Sequence, residues 1–168
     1  PKLADLRDRL YSTAQASDQI AGYLTAETAA KVGLAAGIPV AVGAFDAHHG
    51  AVGAGIKPGR LVKIIGTSTC DILVAPATTA VADIPGVCGI VPGSVVPGMT
   101  GLEAGQSAVG DIFLWFAHHC CPPEFRRENE GATIAALEKA AAKLAPGASG
   151  LMALDWNNGN RTVLVDPL

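Results

Sequence analysis

The sequence predicts a mixed α/β fold, because apolar runs of strand length alternate with Ala-rich segments of helical spacing along its 168 residues. Glycine and proline separate these segments, as they do in turns and loops. Hydrophobic residues make up 49% of the chain and charged residues only 16%, which is enough apolar surface for a sizeable core. We therefore expect a folded protein rather than a disordered one.

The first predicted helix and strand lead to Asp46. Thr25 is placed to cap a helix over residues 26–32, which ends at Gly33. Residues 38–45 form a nearly continuous apolar run, which predicts a buried strand with Asp46 at its carboxyl end. The small residues that follow predict a tightly packed helix with a negative charge at its start.

Two apolar runs predict a hairpin around a Gly-Thr-Ser-Thr turn. Residues 61–65 and 70–75 have the length of strands, and Gly66 to Thr69 lie between them. Residues 86–101 contain short β-prone pieces separated by glycine and proline, which predicts one or two further strands. This part of the chain should therefore form a sheet.

Two helices and a last strand complete the predicted pattern. Residues 104–119 carry apolar side chains at helical spacing, so Glu103 and Gln106 are expected at the N-terminus of a helix whose aromatic residues face the core. Residues 132–145 predict a second helix, stopped by a Pro-Gly pair. Residues 150–156 predict a short strand that runs into a polar turn.

Three candidate sites follow from this layout, and each has a purely structural alternative. Asp46 could act as a general base at the end of a strand, but an acid in this position is equally suited to capping the next helix. Gly66 and Thr67 offer backbone amides and a hydroxyl to a phosphate, although similar turns occur without any ligand. Glu103 is either a ligand-facing acid or an ordinary first-turn helix residue.

Composition and charge exclude several other classes of partner. The formal net charge is −3 and no basic cluster is denser than Arg126-Arg127, so neither nucleic acid nor an anionic membrane is expected. No apolar run reaches the roughly 18 residues that span a bilayer, and the four cysteines do not form a disulfide pattern. These observations predict a cytoplasmic protein.

A metal site is not predicted. His118, His119, Cys120 and Cys121 are all potential zinc ligands. Four consecutive residues of a helix point in different directions, however, and cannot close one tetrahedral site. The end of a helix is the better interpretation of this segment.

Four segments taken together resemble the carbohydrate kinases of the FGGY family, and most closely their ribulokinase group. These segments are AFDAHHGAVGAG, VKIIGTSTCDILVA, GSVVPGMTGLEAGQSAVGDIFLWF and LDWNNGNRT. The resemblance implies two actin-like, ribonuclease-H-like domains with the active site in the cleft between them. Residues 1–57 would then be the end of the first domain and residues 58–168 the beginning of the second. The NGNRT segment departs from the family pattern, because Val163 stands where the family has proline.

The resemblance also implies an ATP-dependent kinase that uses Mg²⁺ and has a sugar as its second substrate. Asp46 would bind the sugar and act as the catalytic base that accepts a hydroxyl proton, while Glu103 would hydrogen-bond the same sugar. Gly66, Thr67 and Gln106 would contact the nucleotide phosphates. The long GTSTC and GLEAGQSA matches favour phosphorylation of the ketopentose L-ribulose to L-ribulose 5-phosphate, a step of arabinose catabolism.

The family pattern is incomplete in this sequence. It contains neither the early Asp-x-Gly-Thr turn, which serves phosphate and metal, nor the late Gly-Gly segment, which holds adenine. We therefore expect an internal piece that is inactive without the remainder of the kinase chain, with homodimer formation left open. The alternatives are another sugar or polyol kinase of the family, such as a xylulose kinase, or a non-catalytic actin-like nucleotide-binding module.

Overall fold

The computed structural model describes residues 6, 9–10, 13–154, 156–162 and 164. This part of the chain contains six strands, four α-helices and one 3₁₀ turn. In chain order they are β1 (Ile20–Tyr23), α1 (Ala26–Val32), β2 (Pro39–Ala41), α2 (Asp46–Gly53), β3 (Val62–Ile65), β4 (Thr69–Pro76), β5 (Gly89–Pro92), β6 (Met99–Ala104), α3 (Gly110–His119), the 3₁₀ turn (Pro123–Phe125) and α4 (Glu130–Ala141). The predicted mixed α/β pattern is thus confirmed.

The central unit is a four-stranded antiparallel sheet in the order β3-β4-β6-β5. Strands β3 and β4 form the predicted hairpin around the Gly-Thr-Ser-Thr turn, with Val62 opposite Ile72. On its other side, Ile72 lies opposite Glu103 of β6. The one or two strands expected from residues 86–101 are β5 and β6, with Pro92 as the last residue of β5 and Pro97 in the turn between the two strands.

Helix α2 packs on one face of this sheet and forms the core with it. The residues buried between them are small or β-branched: Ala47, Ala51, Val62, Ile72, Val74 and Val95. Glycine at position 50 eases this close approach, since a Cβ there would lie 3.1 Å from Cδ1 of Ile64 and that side chain would have to shift slightly. The burial of Ile72, which is fully inaccessible, contributes about 2 kcal/mol. The small residues after Asp46 therefore allow the predicted close packing of this helix.

The predicted buried strand before Asp46 is wrong in length and in burial. Only Pro39–Ala41 is extended, and all three residues are exposed. Strand β2 pairs with β1 alone in a separate two-stranded sheet. Because a two-stranded ribbon buries side chains only when another layer covers it, the apolar run remains at the surface in the described part of the chain.

Local signals predicted two helices well. Helix α1 has the expected bounds, with the Thr25 hydroxyl accepting the amide of Thr28 and Gly33 left-handed at φ 71°. Helix α4 begins two residues before the predicted start of the 132–145 segment, because Asn129 caps it by accepting the amide of Ala132 at 2.9 Å. It ends at Ala141, four residues before the predicted end.

Three other expectations are wrong. Glu103 and Gln106 do not lie at a helix N-terminus: Glu103 belongs to β6, and α3 begins only at Gly110. The aromatic residues of α3 are not core residues: α4 is the main element that packs against this helix in the described part of the chain, and Trp115 is left more than half exposed. No strand forms over 151–154, while Asp155 and Val163 lie outside the described residues.

None of the described helices has the length and apolarity that a bilayer-spanning helix requires.

Candidate active site

Asp46 is the first residue of α2 and its side chain faces solvent. Its Oδ1 accepts the amide of Ala47 at 2.8 Å, while the cap position belongs to Phe45, which makes no side-chain cap bond. The carboxylate therefore satisfies one amide at the helix start and remains accessible to a ligand. A cavity of about 470 Å³ opens beside this helix start, and Phe45, His48 and Ser94 are among its lining residues.

Glu103 lies at the centre of a hydrogen-bond network that joins three parts of the chain. His48 of α2 is 3.0 Å from its Oε2, measured from Nε2. Arg161 donates from a terminal guanidinium nitrogen to its Oε1 at 2.9 Å. The Glu103 side chain is only 22% exposed, so these partners compensate for the loss of water around its charge.

His48 is held from two sides. It is buried, with 7% of its surface exposed, and its ring meets the ring of Phe45 edge-on at a centroid distance of 5.4 Å. Its other contact is the carboxylate of Glu103. The ring orientation is thereby fixed, whereas the next residue, His49, lies on the exposed side of the helix.

Two cysteines complete the surroundings of Glu103. The Cys70 thiol donates to Oε1 at 3.5 Å, and the Cys88 thiol donates to the backbone carbonyl of Glu103 at 3.1 Å. Burial raises the pKa of the Cys70 thiol, and the negative charge of Glu103 raises this pKa further. Cys70 therefore stays a neutral hydrogen-bond donor.

The Gly-Thr-Ser-Thr turn is anchored by the segment that leads into α3. The amide of Val109 donates to the Thr67 carbonyl at 2.8 Å, and the amide of Gly110 donates to the carbonyls of Gly66 and Thr67 at 3.1 Å. The amides of Val109 and Gly110 are therefore bonded to the turn and are not free to bind an anion. A Cβ at Gly110 would lie 2.6 Å from the Gly66 carbonyl oxygen, so only glycine permits this approach.

The carbonyl groups of Gly66 and Thr67 are bonded to the start of α3, so the groups of the turn that remain for a ligand are its amides and hydroxyls. The Gly66 amide is engaged by the Ser68 carbonyl at 2.9 Å. Thr67 is exposed, and its amide has no acceptor among the described residues. The groups that can meet a phosphate here are thus the amide and hydroxyl of Thr67, with the Gly66 amide already in use.

Gln106 connects the turn to Glu103. Its carbonyl accepts the amide of Thr69 at 3.0 Å, and its own amide donates to the Thr69 hydroxyl at 3.0 Å. One residue earlier, the amide of Gly105 donates to the Thr162 hydroxyl at 2.6 Å, next to Arg161. Glu103, Gln106 and the Gly66–Thr67 turn are thus linked along β4 and β6. Asp46 forms no hydrogen bond with any of them among the described residues, and only its helix neighbour His48 reaches Glu103.

Sequence reasoning missed part of this network. The sequence shows His48 only as one of two adjacent histidines in a tightly packed helix, and it does not reveal that the hydrogen-bond partner is Glu103. The NGNRT segment likewise gives no sign that its Arg161 contacts Glu103 directly. A single arginine after a polar turn is a weak signal in a sequence. Its role becomes visible only when the structure pairs it with an acidic residue far away in the chain.

The described residues offer no protein cage for a metal ion. No group of three or more His, Cys, Asp and Glu side chains converges in this part of the chain. The Nε2 atom of His118 instead lies 3.0 Å from a carboxylate oxygen of Glu130. Mg²⁺ commonly keeps several water ligands and binds through one or two carboxylates together with substrate phosphates. The donor set therefore fits a metal that is carried mainly by phosphate and water.

The chain is similar in sequence to known sugar kinases. Residues 61–168 match the model of the FGGY family of carbohydrate kinases, C-terminal domain. The ribulokinase of Shouchella clausii is 46% identical over 171 residues, which cover 99% of this chain and 30% of that protein. The ribulokinase of Mycolicibacterium smegmatis is 48% identical over 152 residues, which cover 88% of this chain and 26% of that protein. The chain thus spans about 30% of the length of the curated relatives it matches.

Solved structures of sugar kinases share the fold. A xylulose kinase from Rhodospirillum rubrum superposes with a TM-score of 0.72 at 30% identity, over 94% of this chain and 32% of that one. A kinase from Brucella ovis, described as a xyloylose kinase, superposes with a TM-score of 0.61 at 22% identity, over 91% of this chain and 29% of that one. The actin-like, ribonuclease-H-like fold class is thereby confirmed.

Proposed function

The chain belongs to the FGGY family of carbohydrate kinases, and from this premise we propose that the protein containing it transfers the γ-phosphate of ATP to a hydroxyl of a ketopentose. The observation that carries the proposal is the link between Asp46 and Glu103. His48, two residues after Asp46, lies 3.0 Å from the Glu103 carboxylate. Helix α2, which begins with the exposed Asp46, therefore contacts the partly buried Glu103 of β6. Two carboxylates in different surroundings suit different tasks at a sugar.

Asp46 has the properties of a catalytic base in this scheme. Its carboxylate is exposed at the start of α2, beside a cavity of about 470 Å³. In phosphoryl transfer the protein chiefly positions the reactants, and an aspartate accepts the proton of the attacking hydroxyl. Glu103 would hold the sugar by a hydrogen bond, because its charge is balanced by Arg161 and it is therefore not free to serve as the base.

The Gly-Thr-Ser-Thr turn is proposed to contact the ATP phosphates. The exposed Thr67 amide and hydroxyl support this role, since phosphate oxygens accept hydrogen bonds from both. The engaged Gly66 amide shifts the expected contact towards Thr67. Gln106 is proposed to act on the same side, because its backbone is bonded to Thr69 of the turn. Mg²⁺, when bound with ATP, supplies neutralisation of the phosphate charge.

L-Ribulose is the proposed sugar, and arabinose catabolism the proposed context. The support is similarity to ribulokinases at 46% and 48% identity. D-Xylulose is the second candidate, because the structure that superposes with a TM-score of 0.72 is described as a xylulose kinase. Both sugars are ketopentoses, so the reaction class is the same for each. Because ATP is the phosphate donor, the reaction is proposed to take place in the cytoplasm.

The division of the chain is also a proposal. We assign residues 1–57 to the end of a first domain and residues 58–168 to the beginning of a second. The start of the family match at residue 61 supports this division, although helix α2 of the first segment packs on the four-stranded sheet of the second. Since the chain spans about 30% of its relatives, we propose that it is inactive without the rest of the kinase.

A substrate panel with the complete protein tests the function. ADP release should be measured with L-ribulose, D-xylulose, D-ribulose, glycerol and gluconate, and the product should be identified by phosphorus NMR. We expect kcat/KM for L-ribulose to exceed that for D-xylulose by about tenfold or more, as a specific hydroxyl contact provides. The reverse preference would move the assignment to D-xylulose. A protein that turns over none of the five would contradict the kinase proposal.

A further inference from the structure

We infer that His48 is a positioning residue for the sugar: it orients the Oε2 atom of Glu103 towards the substrate and ties this atom to the helix that begins with Asp46. The inference rests on the proposed function and goes beyond it, because His48 has no role in that scheme. Three features of the described residues support it. They are the count of hydrogen bonds on Glu103, the burial of His48 and the geometry of α2.

The hydrogen bonds on Glu103 leave room for one ligand contact. A carboxylate has about four lone-pair sites, two on each oxygen. Among the residues that the structure describes, Oε1 receives Arg161 at 2.9 Å and the Cys70 thiol at 3.5 Å, whereas Oε2 receives only His48 at 3.0 Å. The remaining site is therefore on Oε2, and a sugar hydroxyl that binds there shares this oxygen with His48. The direction in which the hydroxyl can approach is set by the imidazole.

The burial of His48 gives it little freedom to move. Only 7% of its surface is exposed, and the edge-on contact with Phe45 restrains the ring further. Because the His48 ring is held in place, it can hold the Glu103 carboxylate in one orientation. An exposed histidine would instead move together with the carboxylate. Phe45 itself is 74% exposed and, together with His48, lines the cavity of about 470 Å³ next to Asp46.

The geometry of α2 couples His48 to Asp46. Residues two apart in a helix point to opposite sides, which agrees with an exposed Asp46 and a buried His48. Ala47 and Ala51 pack this helix on the sheet that contains Glu103. The contact between His48 and Glu103 therefore sets the distance between the proposed base and the proposed sugar-binding acid. Loss of the contact should weaken sugar binding without weakening ATP binding.

Three variants of the complete protein test this inference. His48→Ala removes the donor, His48→Gln retains a side-chain N–H near Oε2, and His49→Ala is the matched control on the same helix. We expect His48→Ala to raise KM for the sugar about tenfold, as loss of a hydrogen bond to a charged group does, with KM for ATP changed less than about twofold. His48→Gln should recover at least half of this loss on a logarithmic scale. His49→Ala should match the wild type.

The outcomes separate this inference from the proposed function. Circular dichroism and the melting temperature show whether each variant is folded. If His48→Ala is not folded, His48→Gln tests the inference instead, through the change in its KM for the sugar relative to the change in its KM for ATP. A wild type that turns over the sugar, combined with an unchanged sugar KM in His48→Ala, would overturn the role of His48 alone. Equal losses in the KM values for sugar and ATP would do the same. A wild type without turnover on any sugar would overturn the proposed function and this inference together.

Discussion

His48 of α2 and Glu103 of β6 meet at 3.0 Å although 55 residues separate them in the sequence. The contact joins the helix that begins with Asp46 to the strand next to β4. Arg161 reaches the other carboxylate oxygen from 58 residues further along the chain. Three distant segments therefore depend on one carboxylate, and this dependence can be measured.

Glu103→Gln should destabilise the protein and weaken sugar binding. Glutamine has the same shape but no charge, so Arg161 and His48 lose their ionic acceptor. We expect the free energy of unfolding to fall by about 1–3 kcal/mol, measured by urea titration, and the KM for the sugar to rise. Glu138→Gln on the exposed side of α4 is the control and should change neither quantity. An unchanged stability for Glu103→Gln would show that the network contributes little to folding.

Asp46→Asn should abolish most of the turnover while leaving the fold intact. Asparagine retains an oxygen that can accept the Ala47 amide, so the unfolding free energy should change by less than about 1 kcal/mol. A base contributes about 10²–10⁴ in rate, and kcat should fall by this factor. The exposed loop residue Asp83, changed to Asn, serves as the control. If Asp46→Asn kept kcat within a few-fold of the wild type, Asp46 could not be the base.

The sequence predicted those parts of the fold whose signals are local. Helix α1 was located by its cap residue Thr25 and by Gly33, because both act within one turn of the helix. The hairpin around Gly66 and Thr67 was located by two apolar runs of matching length. These features require no knowledge of distant partners, so the sequence alone was enough.

Glu103 shows where such prediction fails. The residues after it have helical spacing, yet Glu103 is held in a strand between Ile72 and Gly89. Thr162 binds Gly105 and helps to keep the next residues out of the helix. These partners lie far away in the sequence, and their pairing overrides the local preference. For the same reason, the contacts of His48 and Arg161 could not be predicted from their neighbours.

Gly110→Ala should impair ATP binding through the Gly-Thr-Ser-Thr turn. The new Cβ would lie 2.6 Å from the Gly66 carbonyl oxygen, so the turn must move away from α3. We expect KM for ATP to rise about tenfold, with stability reduced by about 1–3 kcal/mol, because the clash involves backbone. The KM for the sugar should change less.

The matched control for this substitution is Gly131→Ala in the first turn of α4. A Cβ there meets only the Asn129 side chain at 3.6 Å, an ordinary contact. Alanine at this exposed helical position should be neutral or slightly stabilising, by up to about 1 kcal/mol. Equal effects of both substitutions on the KM for ATP would remove the proposed link between the turn and the nucleotide.

Cys70 should react more slowly with iodoacetamide than the exposed Cys120. The thiolate is the reactive form, and burial together with the charge of Glu103 raises the pKa of the Cys70 thiol. Its labelling rate should therefore keep rising at pH values above the ordinary pKa of a thiol, as measured by mass spectrometry of the labelled peptides. Because the folded state favours the protonated thiol, this group stabilises the fold below its ordinary pKa, and that contribution is lost as pH rises through the raised value.

Glu103→Gln removes the neighbouring charge and should speed the labelling of Cys70 but not of Cys120. Equal labelling of Cys70 with and without the Glu103 charge would mean that burial alone protects the thiol.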